Sequence, residues 1–476
     1  MLGQALSFFS CIITYMLLHL LPHCTSLSPE GVILLKIRKG DWRDTSNALS
    51  NWDESHQTPC AWKGISCDTF NIVTGVDITG ALIYGNLTSA ICTLPNLTVL
   101  TLQANAFTGP FPHALLLCKR LRKLDLSSNQ FAGTLPSHIF QLSELRVLNL
   151  SYNAFSGSIP PAFGILPKME ALFFNENSLS GSFPKFLGNL ESLKNFAIGS
   201  NPLRPGVIPR ELGNLKQLQQ LWLNNCSLKG EIPTFLGNLT KLEDLDISEN
   251  HLSGIIPSFL GNLTQLKWLD LWQNNLWGDI PTSLGNLTLL ENLDLSRNLL
   301  GGHIPTSLMA LSNLRVLYLY ANNLTGRIPA DIDRMASLSN LDLCHNPLYG
   351  TIPRTIANLT NLSDLRLCFT QLAGTIPAEL GELRYLSVLM LYNNKLNGWL
   401  PQSLGTYSNL RKVDLTESGL EGPLPKNLCM GGELNPSFED CSSLEHVGVD
   451  NNQLSGVISP GLWGCYQSQE IVFIQQ

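Results

Sequence analysis

Charge is scarce in this sequence. Charged residues make up 14 % of the 476 positions, and the formal net charge is −7. Such a chain has no basic stripe with which to neutralise phosphates, so a nucleic-acid partner is excluded. The spacings that mark common catalytic and metal sites are also missing. There is no His-Glu-x-x-His, no paired Cys-x-x-Cys, no Gly-x-Ser-x-Gly elbow, no phosphate-binding loop and no kinase signature set. The carboxylates form no acid–base pair. No enzyme activity, no cofactor and no metal is expected of this chain.

A second absence is local. The first 26 residues contain no Asp, Glu, Lys or Arg, Leu6 to Leu21 is largely apolar, and Cys24-Thr25-Ser26 offers small residues for cleavage. This reads as a secretory signal peptide over 1–26. The alternative, a membrane anchor, is disfavoured because the run is shorter than the ~20 residues of a span. No second run of that length follows, so membrane association would need a segment that this sequence lacks. The expected location is the secretory pathway and the cell exterior. The twelve cysteines, less Cys11 and Cys24, would there meet oxidising conditions and form disulfides.

What the sequence has in quantity is a repeat, Leu-x-x-Leu-x-Leu-x-x-Asn-x-Leu-x-Gly-x-Ile-Pro. Its Asn position falls at Asn105, Asn129, Asn153, Asn177, Asn201, Cys226, Asn250, Asn274, Asn298, Asn322, Asn346, Thr370, Asn394 and Ser418, after a degenerate first unit at Ala81. The step is 24 residues throughout, except for 25 between Asn201 and Cys226. That is the leucine-rich-repeat period. The expected fold is an α/β leucine-rich-repeat solenoid, a right-handed curved superhelix with a concave parallel sheet. Each unit supplies one short strand whose alternate residues, such as Leu124 and Leu126, point inward, and neighbouring units complete the core. The inward Asn can satisfy buried turn groups with both ends of its amide. Cys226, Thr370 and Ser418 can do so only in part, and looser turns are expected there. The domain plan is 1–26 signal peptide, 27–70 N-terminal cap, 71–427 solenoid of about fifteen repeats, and 428–476 a shortened repeat plus a last one without a C-terminal cap.

The shortened repeat rests on cysteine registers. Cys92 and Cys118 stand in the same registers as Cys429 and Cys441, yet the first pair is 26 residues apart and the second 12. The difference is 14, the same number by which the step from Ser418 to Asn452 falls short of two repeats. One repeat is therefore expected to have lost its strand and Asn turn; a natural irregular loop is the alternative. Unless the chain re-closes, flanking strand edges would stay unpaired and invite aggregation.

Outward strand positions line the expected concave face, where solenoids bind partners. They carry Phe173, Trp222, Trp268, Trp272, Tyr318, Tyr320 and Tyr392. Aromatic residues are favoured at recognition hot spots, and this spread suits an extended peptide; side chains stacking along the ladder are the alternative. Most acids of this face, including Asp342 and Asp414, occupy a Leu-Asp-Leu slot that the repeat itself favours. The cluster Asp244, Asp246, Glu249 and Asp270 is dense enough to suggest a site for an Arg or Lys of a ligand. Cys92 and Cys118 sit where consecutive coils meet, which favours a bridge. Cys344 and Cys368 share an outward register, within reach of a bridge or left as two thiols, and Cys226 is expected to be buried. Sequons at Asn86, Asn96, Asn238, Asn262, Asn286, Asn323, Asn358 and Asn361 are expected glycosylation sites, whereas Asn149 and Asn225 face the concave side and are expected to stay unmodified.

The Leu-x-Gly-x-Ile-Pro form of the repeat resembles the ectodomains of plant leucine-rich-repeat receptor kinases. Trp52…Cys60-Ala61-Trp62-Lys63-Gly64-Ile65-Ser66-Cys67 is similar to their N-terminal cap, which implies that Cys60 and Cys67 pair. Asn201-Pro202…Ile208-Pro209-Arg210-Glu211-Leu212-Gly213-Asn214-Leu215, the 25-residue step and Cys226 resemble the HAESA-like group. That resemblance implies a secreted peptide ligand, a leucine-rich-repeat co-receptor kinase, and a Ser/Thr kinase in the intact protein. It also implies an Arg-x-Arg pair on a late repeat, where His446 and Gly448 stand here. A stand-alone secreted protein, an enzyme inhibitor or decoy, or a truncated remnant is the alternative reading.

Overall fold

The computed structural model describes residues 27–426, 428 and 444–455. The expected signal peptide and Cys429, Cys441 and Cys465 lie outside the described residues. The chain divides into two units, 1–156 with 166–168, and 157–165 with 169–476.

The first unit opens with the helix Pro29–Gly40. Its start is set by Ser28, whose hydroxyl accepts the Gly31 N–H at 3.3 Å, and by Pro29 at the first helical position. The helix buries Leu34, Leu35 and Ile37. Behind it, Trp42 lies 6.1 Å from Trp52, and Trp52 stacks on Trp62 at 5.5 Å. Trp42 also meets Phe107 edge-on at 6.0 Å, and Phe107, Phe131 and Phe155 continue as a stack with spacings of 6.2 and 6.1 Å. The cap thus closes the apolar core with aromatic rings that continue into the repeats. The strand Ile65–Cys67 runs antiparallel to Val73–Asp77. From there the pairing is parallel, through Val99–Thr101, Lys123–Asp125 and Val147–Asn149. The bridges Cys60–Cys67 and Cys92–Cys118 are both formed.

The second unit repeats one coil. Its main sheet runs from Ala171–Phe173 to His446–Gly448 in unbroken parallel register, each strand opposite its equivalent in the next coil. Central strand residues such as Leu245, Leu269 and Leu293 point inward with no exposed surface. After each turn the Leu-x-Gly stretch forms a second short strand, as in His251–Gly254, Asn275–Asp279 and Leu299–Gly301. Gly278 takes φ +80° there, a backbone state that side chains disfavour. The following Pro precedes a five-residue 3₁₀ turn, for example Thr282–Asn286 after Pro281. A Cβ on Gly285 would lie 2.3 Å from the Ser307 carbonyl oxygen, so the Leu-Gly-Asn glycine lets adjacent turns stack.

The inward Asn holds the coils together. Asn298 is 6 % exposed. Its Nδ2 donates to the Leu295 and Ser296 carbonyls in its own turn, both at 3.1 Å, and to Leu271 of the preceding coil at 2.9 Å. Its Oδ1 accepts the Leu276 N–H at 3.0 Å. The same pattern recurs at Asn105, Asn129, Asn250, Asn274, Asn322 and Asn346. To bring the amide inward, the preceding residue adopts left-handed backbone, including Glu249, Arg297, His345 and Phe369 at φ between +48° and +54°.

The three substitutes keep part of this. Cys226 Sγ reaches the Ile198 carbonyl at 3.4 Å and Ser418 Oγ that of Leu391 at 2.8 Å, whereas Thr370 Oγ1 bonds Leu367 in its own turn at 3.1 Å. Before Cys226 and Thr370, the amide that an Asn would have taken turns to a local carbonyl instead, Leu203 to Asn201 and Leu348 to Asn346. Cys226 is fully buried, as expected, and burial pushes its thiol up to about 12.

At the expected gap the chain re-closes on itself. Lys412–Asp414 pairs directly with His446–Gly448, and Glu421–Pro423 with Glu421's neighbour strand Gln453–Ser455. Asn452 Oδ1 accepts the Ser418 and Leu420 amides at 3.3 and 2.9 Å, 34 and 32 residues away in sequence. One coil therefore spans 34 residues, which is two coils less fourteen, and the strand edges at this point are paired.

Substituting Asn298→Ala removes four hydrogen bonds and leaves buried carbonyl and amide groups unmatched. A loss of roughly 3 kcal/mol is expected. Denaturant titration should show it, and hydrogen exchange should show the Leu276 amide opening early.

Candidate functional site

The expected binding residues all lie in the second unit, on the outward side of its main sheet. Parallel pairing at a 24-residue period sets equivalent side chains in columns. Asp246, Asp270 and Asp294 are direct neighbours in one column, and Trp222 precedes them. Asp244 faces Trp268 in the column beside it. The structure thus brings Asp244, Asp246 and Asp270 together.

Their chemistry differs from the simple sum of charges. Asp246 Oδ1 accepts the Ser248 N–H and hydroxyl at 2.9 and 2.6 Å, and Asp270 Oδ1 accepts the Trp272 N–H at 2.9 Å. Asp294, Asp342 and Asp414 make the same backbone turn with Ser296, Cys344 and Thr416. The Leu-Asp-Leu slot is therefore a structural one, in line with its repeat-wide occurrence. Burial raises the carboxyl of Asp270 to about 8, with the neighbouring Asp246 charge adding to it. Burial raises Asp244 to about 6, against a hydrogen bond from Trp222 that lowers it. Asp246 is raised by burial too. At neutral pH Asp270 is mostly protonated, so the cluster is less negative than its sequence suggests. Glu249 stands apart on its left-handed turn and lines a separate cavity of about 260 Å³ with Asn225, His251 and Gln273.

The aromatics separate into groups. Phe173 is half-buried, and Ala197 lies between it and Trp222 in the column. Trp268 is 47 % exposed. Trp272 Nε1 donates to the Tyr320 hydroxyl at 2.9 Å, across the coil that lies between them. Tyr318 lies in the Asp294 column between Asp294 and Asp342. Tyr392 meets Phe369 edge-on at 5.2 Å, and Phe369 stacks on His345 at 4.3 Å. Part of the aromatic stripe is thus ring stacking along the ladder, and part is open surface.

A cavity of about 610 Å³ opens on this face. Its walls include Arg297, Tyr320, Asp342, Arg366, Met390 and Tyr392, and the Cys344–Cys368 disulfide also lines it. The bridge settles the alternatives left by the sequence for these two cysteines. Arg366 pairs with Asp364 through two bonds of 2.8 Å. Arg297, His345, Phe369, Arg366 and Met390 were not among the residues that the pattern singled out. Three of them, Arg297, His345 and Phe369, share the left-handed position before the ladder residue, which is the one signal that would have found them.

Seven of the eight expected glycosylation asparagines, Asn86, Asn238, Asn262, Asn286, Asn323, Asn358 and Asn361, are exposed. Asn96 is half-buried, with its amide between Asp68 and Arg120. Asn149 is half-buried and bonded to Asp125 and Ser151. Asn225 is exposed at a left-handed turn, so burial does not protect it.

At the far end, His446 Nε2 lies 3.3 Å from Asp414 Oδ2, and Gly448 stands opposite Asp414. Among the described residues no helix is long and apolar enough to cross a membrane, and no group of acids, histidines and cysteines could hold a metal.

The 24-residue coil, the Asn ladder, the tryptophan-lined cap and the outward-facing side-chain columns define a leucine-rich-repeat solenoid of the plant receptor type. The leucine-rich repeat region model matches residues 84–255 and 250–374, and the leucine rich repeat N-terminal domain matches 27–68. The chain belongs to the leucine-rich-repeat family and closely matches the ectodomains of HAESA-like receptor kinases. The Arabidopsis thaliana HAESA structure, solved with the peptide hormone IDA and the co-receptor SERK1, is 32 % identical with a TM-score of 0.81, covering 94 % of this chain and 81 % of that one. The PEPR1 structure with AtPEP1 is 29 % identical, with a TM-score of 0.57 and coverage of 94 % and 75 %. Among curated proteins, the Arabidopsis thaliana receptor-like protein kinase HSL1 is 36 % identical over 104 residues, 22 % of this chain and 10 % of that protein. A leucine-rich-repeat receptor-like serine/threonine-protein kinase of the same species is 38 % identical over 96 residues, 20 % and 9 %. The match thus spans about a tenth of the length of these curated relatives.

Because the folded state holds the Asp270 proton up to about 8, against 3.8 for the free side chain, it binds more protons than the unfolded chain between those values. Stability therefore falls as pH rises through that window. Asp270→Asn should flatten this slope and raise Tm most above pH 8, with little change near pH 4; thermal melts across pH 4–9 measure it.

Proposed function

We propose that this chain is the extracellular ligand-binding region of a plant leucine-rich-repeat receptor-like kinase. It takes a secreted peptide across the outward face of its second unit and presents it to a leucine-rich-repeat co-receptor kinase. The observation that carries the reading is the likeness to HAESA over four-fifths of that ectodomain, which was solved holding a peptide hormone and a co-receptor. In the intact protein a signal peptide directs secretion, and a membrane span and Ser/Thr kinase follow the ectodomain at the plasma membrane. The exposed sequons carry glycans away from the binding face.

The residues supply a division of labour. Trp222, Trp268, Trp272, Tyr318, Tyr320 and Tyr392 offer rigid apolar surface at low entropic cost, with Phe173 at the near edge. Asp244, Asp246 and Glu249 attract a basic group of the ligand, while protonated Asp270 can donate a hydrogen bond to a carbonyl. Asp244 near 6 makes the attraction fade as pH falls below that value.

Selection of a phage-displayed random peptide library on the glycosylated full chain tests this. Peptides of micromolar affinity or better are expected, weakened at least tenfold by Trp272→Ala. For selected peptides that carry Arg or Lys, the double variant Asp244→Lys, Glu249→Lys should also weaken binding. No recovered binder, or affinities indifferent to these changes, overturns the reading.

A further inference from the structure

The cavity of about 610 Å³ carries cationic groups that the acidic cluster cannot explain. At one end, the Arg297 guanidinium carbon lies 6.0 Å from the centre of the Trp272 ring and 5.9 Å from that of Tyr320. Among the described residues no carboxylate pairs with Arg297, although acids are common on this face. Arg366, which also lines the cavity, is by contrast already matched by Asp364 through both arms of its fork. Both distances fall at the outer limit of a cation–π contact, which leaves the guanidinium N–H groups available to a ligand. The neighbouring hydroxyl adds a further donor. Tyr320 Oη accepts the Trp272 indole N–H at 2.9 Å, which leaves its own proton available to a ligand. The left-handed turn at Arg297, φ +51°, is imposed by the Asn298 ladder and holds the side chain's root in place.

We propose that Arg297 and Tyr320 form a carboxylate-binding subsite at one end of this cavity, taking the side chain of an acidic residue or a terminal carboxylate. The planar fork of Arg297 matches the two oxygens of a carboxylate, and the Tyr320 O–H reaches one of them as a third donor. Trp272 acts as a positioning residue, fixing the hydroxyl through its indole N–H and lying within cation–π range of the guanidinium. Asp342, in the same cavity wall, works against the ligand charge; it is held by the Cys344 N–H at 2.9 Å and faces the Arg366–Asp364 pair. The subsite rests on the peptide reading only for what presents the carboxylate. Together with the acids near Asp244, it implies a ligand with a basic group at one end and an acidic group further along the strands.

Saturation-transfer NMR on the full chain, with N-acetyl-glutamate α-amide against N-acetyl-glutamine α-amide as probes, so that only the first carries a carboxylate, separates the two ideas. The acidic probe should give a signal at least fivefold stronger. Arg297→Gln should abolish the difference, Arg297→Lys should retain only part of it, and Asp342→Asn should increase it. Arg297 is exposed, so unchanged thermal melts are expected to show that these variants stay folded. Equal signals from the two probes, or a preference that survives Arg297→Gln, overturn the subsite. A clear preference for the acidic probe together with a failed peptide selection would overturn the peptide reading and leave the subsite standing.

Discussion

The structure depends on one side chain placed once per coil. A coil that turns every 24 residues must bury carbonyls and amides at its tightest bend, and buried backbone groups without partners are costly. The Asn amide answers both needs, donating within its own turn and across to the previous coil while accepting from that coil's next strand. Because these bonds run between neighbours, they also set the register of the parallel sheet. The left-handed residue before each Asn follows from the same constraint. Where Cys226, Thr370 or Ser418 stands instead, one part of the exchange is lost, and before Cys226 and Thr370 the freed amides find local carbonyls.

That regularity also shapes the outward face of the sheet. A period of whole coils sets the same position of successive repeats side by side, so a residue type that recurs becomes a column. Columns of aspartate cannot all stay charged when half-buried, and Asp270 holds its proton to about 8 as a result. The repeat thus tunes its own electrostatics, since the slot that serves the turn through Ser248 or Trp272 also crowds the carboxyls together. Against this background a cation such as Arg297, 6.0 and 5.9 Å from the ring centres of Trp272 and Tyr320, stands out chemically.

The capped end and the irregular coil show how tolerant the arrangement is. At the first unit, tryptophans and a phenylalanine stack replace the leucines of an ordinary coil end and seal the core. Between Ser418 and Asn452, the coil takes ten residues more than the usual 24, yet the strands on either side still pair and the ladder still closes. The ladder fixes where a coil begins and ends, and the chain between can vary in length.

The sequence by itself determined the solenoid, its period, the inward leucines, the buried Cys226 and the Cys92–Cys118 bridge, because each depends on a spacing repeated along the chain, whereas Cys60–Cys67 was implied by the resemblance of the N-terminal cap. It also placed the aromatic and acidic residues on the outward face, since strand alternation alone decides that. Only the tertiary structure decided what those residues become. The protonation of Asp270 depends on how deeply its column is buried. The Trp272–Tyr320 bond spans 48 residues, and the His345–Phe369–Tyr392 stack joins three coils. The direction in which Arg297 points is set by a left-handed turn that no residue type at that position announces. The closing of the 34-residue coil likewise required the partner strand to be in place, because pairing, unlike spacing, is a property of two segments at once.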